Sequence, residues 1–420
     1  MSKVSTGQSV SRVEVPAPID AGTRLESVDI IRGIALFAIY LVNLQGAFGP
    51  ARTAMDRGVT WFYAFFIGGS FYPVFCFLFG LGFAIQLERI SSRGVPVVPL
   101  YIRRLVVLYL MGTAHVILLS YQGDVMREYA VMAVFLLLLR NRTPRAIVGY
   151  ALVCLAVTIG LEGAAPTRTA DVRAAQSNAP TIEGLRAAIE NRDYLTVVRI
   201  RAAREARRPA ILPTNWDSEF THVLSIFLIG LYAGKRRLLH NVGIHRRLLS
   251  RVAVWTLTLG VLLKFVWFAW YEGFQDAIGL PAWTNVPLFS LIGGPMLSFF
   301  YISSLTLWLS QTGKHNLLRP FAWAGRMPVT IYMAETAVHF LIITMILGVP
   351  RTTMVRLGPS GGLLLKVLVF AGLTVLSRSW LGRFRFGPVE WVWRSLTYGR
   401  MQPLRIRQRA PAPAAPPSGA

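Results

Sequence analysis

Cysteine is nearly absent: two in 420 residues, Cys76 and Cys154, each inside an apolar stretch. Two such residues cannot supply a disulfide framework or a thiolate metal cage, and they read as packing residues. Carboxylates are scarce as well, with 20 Asp plus Glu against 44 Lys plus Arg, for a formal charge of +24. Charged residues of all kinds make up 15% of the chain, against about 25% in ordinary soluble domains. That argues against a water-soluble globule. Also missing are a Walker loop, a G-x-S-x-G elbow, a dinucleotide fingerprint and metal-ligand spacing, so no metal is expected. Zinc-finger spacing and a recognition helix are lacking too, so no nucleic-acid partner is expected. The cations fall between and after apolar runs, where they would meet the anionic headgroups of a lipid bilayer.

Hydrophobic residues, by contrast, make up 54% of the chain, and mean hydropathy is +0.48. Runs of about 20 apolar residues suit a membrane-spanning helix. There are about ten of them, at 29–48, 61–87, 103–121, 126–140, 145–161, 217–234, 251–272, 286–310, 321–348 and 361–380. This predicts an all-α, polytopic integral membrane protein. Residues 1–23 read as a disordered cytoplasmic tail, 24–385 as the multi-span domain and 386–407 as a basic C-terminal segment. The Pro/Ala-rich string at 408–420 reads as a second disordered tail. The first run keeps an ion pair at its entrance and reads as a retained span, not a cleaved signal. In the second, Pro73 and the glycines 68, 69, 80 and 82 predict a kink or a close neighbour. Basic residues concentrate in alternate short loops (Arg89, Arg140 to Arg145, Lys235 to Arg251, Lys314), which puts both termini in the cytoplasm and agrees with an even number of spans.

The polar segment 162–215 interrupts the pattern on the extracytoplasmic side. Its second half has the make-up of an amphipathic helix lying on the bilayer surface. It reads as a solvated connector in preference to a lid or a substrate-binding loop.

A few polar residues inside the spans could carry chemistry. Asp29, Arg32 and Asn43 fall on one helical stripe of the first run. Asp29 and Arg32 either line an interior pathway or anchor the helix among headgroups, and the residues alone leave both open. Arg103 and Arg104 lie at the cytoplasmic end of the third run, suited either to gripping donor phosphates or to anchoring. His115 follows Arg104 by eleven positions on the same face and lies in the outer half, as Asn43 does. It is the candidate general base, with Asp124 in the outer turn to orient it; the competing reading is a neutral histidine bonded to a backbone carbonyl between packed helices. Tyr129 enters the next span. Glu335 is an intramembrane carboxylate and so a default site residue, with Arg326 its candidate partner.

Several blocks resemble one known family. They are VDIIRGIALFAIYLVN, FCFLFGLGFAIQLER, RRLVVLYLMGTAH followed by GDVMREYA, FLIGLYAGKR, AGRMPVTIYM and, most specifically, FRFGPVEWVWRSLTYGRMQPLR. Together they resemble the YeiB family, domain of unknown function 418, from about residue 24 to 407. That family is similar to wider groups of membrane acyltransferases, the acyltransferase-3 and heparan glucosaminide N-acetyltransferase types. The acyltransferase-3 pattern opens on Asp-x-x-Arg, matched by Asp29 and Arg32, and places a functional His where this chain has Asn43. The heparan-type pattern also has Asn there and takes its His from the following loop, yet residues 49–60 contain none. His115 is then the nearest substitute. The YeiB-like pattern usually has Asn and Gln where Ile331 and Glu335 stand here.

The resemblance implies acyl transfer in a bacterial inner membrane, from cytoplasmic acyl-CoA to a hydroxyl or amine of a cell-envelope glycan or lipid. The opposed polar clusters of this chain, read beside that resemblance, would have Arg103 and Arg104 bind the donor, with His115, Asp124 and Asn43 catalytic. Asp29, Arg32, Tyr129 and Glu335 would line the substrate path. A transporter or flippase using the same polar stripe is the alternative, and a non-catalytic scaffold the third.

Overall fold

The computed structural model describes residues 26–43, 48–92, 96–121, 123–164, 179–207, 218–274, 276–280, 288–311 and 315–406. Both terminal tails and much of the 162–215 segment lie outside this set. Among the described residues the fold is all-helical; one isolated antiparallel bridge joins Phe384 and Arg405.

The helices are α1 (Glu26–Val42), α2 (Ala54–Phe62, running on as a π-helical turn Tyr63–Ile67), α3 (Phe71–Ser91), α4 (Val97–Leu119) and α5 (Val125–Leu139). Next come α6 (Pro144–Ala164), α7 (Ala179–Glu190), α8 (Tyr194–Ala206), α9 (Ser218–Lys235) and α10 (Val242–Glu272). The last are α11 (Leu288–Leu309), α12 (His315–Arg326), α13 (Pro328–Ala337, running on as a π-helix Val338–Ile346), α14 (Arg351–Leu381) and α15 (Pro388–Tyr398).

Among the described residues, seven segments are long and apolar enough to cross a bilayer: Ala54–Ser91, Val97–Leu119, Pro144–Glu162, Val242–Glu272, Leu291–Leu309, Pro328–Ile346 and Thr352–Leu381. Helices α1, α5 and α9, at 17, 15 and 18 residues, are apolar runs outside that set.

Local chemistry sets several boundaries. Thr53 and Asp56 form a capping box at the start of α2, and Asp56 also accepts from the Ser360 amide and hydroxyl, tying α2 to the kink at Gly358–Pro359 in α14. The second predicted span breaks at its glycines: Gly68 and Gly69 interrupt it, and Pro73 sits harmlessly in the first turn of α3. The span expected at 321–348 is likewise two helices, because Pro328 starts α13 afresh and leaves α12 as a short amphipathic element. In the opposite direction, α10 begins nine residues before the expected 251, absorbing part of a basic loop.

With no water to expel between helices in a bilayer, close approach does the work of holding them together. Gly33 of α1 lies against the Phe321 carbonyl and Gly325 of α12 against the Asp29 carbonyl, so a methyl group at either would collide with backbone. The interior is a continuous cluster built around Ile30, Leu36, Tyr40, Leu81, Leu136 and Phe227. Apolar side chains such as Leu152, Trp255, Leu262 and Leu368 face outward, as they must toward lipid. Arg32 donates to the Gly325 carbonyl and Glu390 of α15 caps α13, so the two ends of the described chain lie at one end of the bundle. The His115–Asp124 turn is farther along α4, about 16 Å beyond Arg104 at 1.5 Å per residue.

Candidate functional site

The turn between α4 and α5 is fixed by one carboxylate. Asp124 is the N-cap of α5; its Oδ2 accepts the Arg127 amide at 3.2 Å, and its Oδ1 lies 2.9 Å from His115 Nδ1. Both side chains are fully buried. Only glycine fits at position 112, one turn before His115, because Asp124 Oδ2 and Arg127 occupy the space a side chain would need. The imidazole packs against Tyr121 and Tyr332, ring centroids 5.4 and 5.1 Å away. The Tyr332 hydroxyl is 3.2 Å from the Gly123 carbonyl, to which it donates, and accepts from the Val125 amide at 3.4 Å, bracing the turn from α13. Thus Nδ1 is held by a carboxylate while Nε2, equally buried, has no hydrogen-bond partner among the described residues. A ring nitrogen so left is available to a ligand, and its unmet hydrogen bond is a standing cost.

A second polar group follows along α13. Glu335 is 3% exposed and its Oε1 also lacks a partner among the described residues. It is within electrostatic reach of the hydroxyls of Tyr121, Tyr332 and Tyr40. Tyr40 of α1 in turn meets His339 Nε2 at 2.5 Å. Beyond them, the Lys366 ammonium donates to the Leu41 carbonyl at 2.7 Å and lies 5.2 Å from the Phe48 ring centroid and 6.0 Å from that of Tyr63, whose hydroxyl is buried and unpartnered. The row from Asp124 to Lys366 therefore joins α1, α4, α13 and α14.

A helical hairpin covers this end. In α8, Arg201 donates to the Ser120 hydroxyl at 2.9 Å and the Ser120 carbonyl at 3.3 Å, and Tyr194 donates to the Leu118 carbonyl at 3.1 Å. Glu205 pairs with Arg127 at 2.5 Å. Leu185, Ala188 and Val197 pack on Phe340 and Met345 of the π-helix. Two hydrogen bonds from Thr196 hold the Asp193 carboxyl, the N-cap of α8, below the usual range. Residues 179–207 are therefore docked, not the solvated connector preferred from sequence; the amphipathic helix exists but lies against protein.

The opposite, basic end is closed by partners. Asp29 and Arg32 pair at 2.7 Å. The Arg104 guanidinium stacks 3.8 Å from the Trp393 ring centroid, while the Trp393 indole donates to the Arg104 carbonyl at 3.1 Å. Arg103 beside it is exposed. Glu390 accepts from the Val329 and Thr330 amides at 2.7 and 3.1 Å and from the Thr330 hydroxyl at 2.5 Å. Burial pushes the Glu390 carboxyl up while these donors pull it down, burial being the larger influence.

Of the sequence candidates, His115 and Asp124 are brought together, with Glu335 on the helix that braces them. Asn43, at the end of α1, makes no hydrogen bond to His115 or Asp124. Tyr129 points elsewhere, its hydroxyl 3.3 Å from Cys76 Sγ. Arg326 does not pair with Glu335: it ends α12, and Glu335 belongs to the next helix. Sequence reasoning did not single out Tyr40, Tyr63, His339 or Lys366. A lysine alone inside an apolar run was the available signal.

These features define a helical, multi-pass membrane-like protein with a covered polar cluster. Residues 233–400 match the model of a family described as Protein of unknown function (DUF418). Over 417 residues the chain is 29% identical to the uncharacterized protein YxaH of Bacillus subtilis, covering 92% of this chain and 97% of that one. It is 24% identical over 399 residues to the uncharacterized protein YeiB of Escherichia coli, covering 88% and 95%. The YeiB-family resemblance of the residue blocks is thus met by both comparisons. No solved structure matches.

Proposed function

We propose that this protein is an inner-membrane acyltransferase of about ten passes, with both termini cytoplasmic. It takes an acyl group from cytoplasmic acyl-CoA and passes it to a hydroxyl or amine of a cell-envelope glycan or lipid on the outer side. The observation that carries the reading is the buried His115–Asp124 pair, one ring nitrogen held and the other open.

Asp124 fixes the ring so that Nε2 faces the acceptor, and low polarity strengthens the pair. As the acceptor oxygen or nitrogen bonds to the thioester carbonyl carbon, its proton passes to Nε2. The tetrahedral intermediate then collapses, the C–S bond breaks, and the sulfur leaves with the proton that Nε2 returns. Asn43, one turn past Tyr40, supplies an amide donor for the oxyanion. Donor phosphates meet Arg103, whose guanidinium is exposed, while Arg104 holds α15. Because His115 is sealed, the hairpin of α7 and α8 must part to admit the acceptor.

The test is transfer of labelled acetyl from acetyl-CoA in membranes carrying the protein, together with a lipid and glycan comparison of cells with and without it. His115→Ala should abolish the transfer and the lost substituent should identify the acceptor; full transfer by that variant overturns the assignment. The row Glu335, Tyr40–His339 and Lys366 favours a second reading, a transporter or flippase. Uptake or counterflow in vesicles with no acyl consumption would establish it instead.

A further inference from the structure

An open groove of about 400 Å³ runs between α13 and α14 at the basic end of the bundle. Its walls include Ile331, Ala334, Leu373, Leu376 and Trp380, with Arg383 at the mouth. From Met327 to Ala334 it extends seven residues, about 10 Å along α13. Met327, just before α13, and Thr330, Ile331 and Ala334 within it line the groove, whereas Tyr332, Glu335 and His339 are not among its lining residues. His115 is fully buried and does not line the groove, so a chain lying there is out of contact with it, which makes the groove a poor berth for a substrate.

The groove faces outward, Leu376 being 65% exposed, so within a bilayer hydrocarbon must fill it. The Arg383 side chain has no ion pair or hydrogen bond with a described residue. The neighbouring carboxylate, Glu390, is taken up by the α13 amides and the Thr330 hydroxyl. Arg405, whose backbone pairs with Phe384, adds a second positive charge to the corner. Trp380 is held by its indole donating to the Phe386 carbonyl at 2.8 Å, an anchor of the type found at headgroup depth.

We propose that this groove binds one acyl chain of an anionic glycerophospholipid from the adjoining leaflet, with the lipid phosphate on Arg383. A guanidinium at the edge of an apolar slot suits a phosphate diester, which it can grip with paired N–H donors.

The full chain, purified in detergent and mixed with phosphatidylglycerol or phosphatidylcholine of identical chains, tests this by native mass spectrometry and thermal unfolding. One phosphatidylglycerol should be retained about tenfold better than phosphatidylcholine, and it should raise the unfolding temperature. Arg383→Ala should reduce it to the phosphatidylcholine level, Arg383→Lys should keep part of the preference, and Ala334→Phe, filling the groove, should abolish retention of both. Arg246→Ala, on exposed α10, should change nothing. Equal retention of the two lipids, an unchanged preference in Arg383→Ala, or displacement by soluble glycerol phosphate would each overturn the proposal.

Discussion

The two ends of the bundle differ in how the polar groups between their helices are met. At the basic end the groups that link helices are satisfied, although His240 Nδ1 in the basic loop is buried without a partner among the described residues: Arg32 has the Gly325 carbonyl and Glu390 has the first turn of α13. The stacked Arg104 and Trp393 likewise hold each other. At the other end His115 Nε2, Glu335 Oε1 and the Tyr63 hydroxyl are buried with no partner among the described residues. A saturated network joins helices, whereas unmet donors and acceptors weaken a fold and persist where something else will meet them.

The contrast can be broken by mutation. The largest effect is expected at His115: the Ala variant should lose transfer by about 10²- to 10⁴-fold while its unfolding temperature in detergent changes little. Asp124→Asn keeps an oxygen to cap α5 but no longer orients the imidazole, so acyl transfer should drop by about 10²-fold with helix content by circular dichroism unchanged. Glu390→Ala should do the reverse. It strands two amides and a hydroxyl at the start of α13 and should lower stability by about 2–3 kcal/mol, read as a lower denaturation midpoint. Arg104→Ala removes a stacked cation and should give a smaller loss, about 1–2 kcal/mol, without altering the groups around His115. The smallest effect is expected for Glu205→Gln, which weakens the hairpin's tie to Arg127: amide exchange in residues 194–206 should quicken about two- to five-fold, and the rest of the bundle should be unaffected. A stability loss at His115 matching that of Glu390→Ala would erase the distinction between the ends.

Much of this was readable from the residues. Apolar runs and basic loops located the helices because lipid permits few alternatives to an apolar helix. The Asp29–Arg32 pair followed from a three-residue spacing, and the joining of His115 to Asp124 from one short turn. Long-range partners were not readable. Nothing in the run at 361–380 says that Lys366 will reach the Leu41 carbonyl, or that Glu390 will cap a helix sixty residues earlier. The docking of α7 and α8 also escaped, since an Arg-rich amphipathic helix has the same composition whether it rests on headgroups or on Ser120 and Phe340. The break at Met327 was missed because hydropathy averages over Pro328.

The π-helix from Val338 to Ile346 packs more residues into each turn than an α-helix does, so its nine residues climb less and rotate less. Rewinding the same residues as an α-helix would lengthen the stretch and turn everything after it. Phe340 and Met345 could not then both keep their places under the hairpin, and the chain would enter α14 pointing the wrong way. Winding here is as constrained as composition.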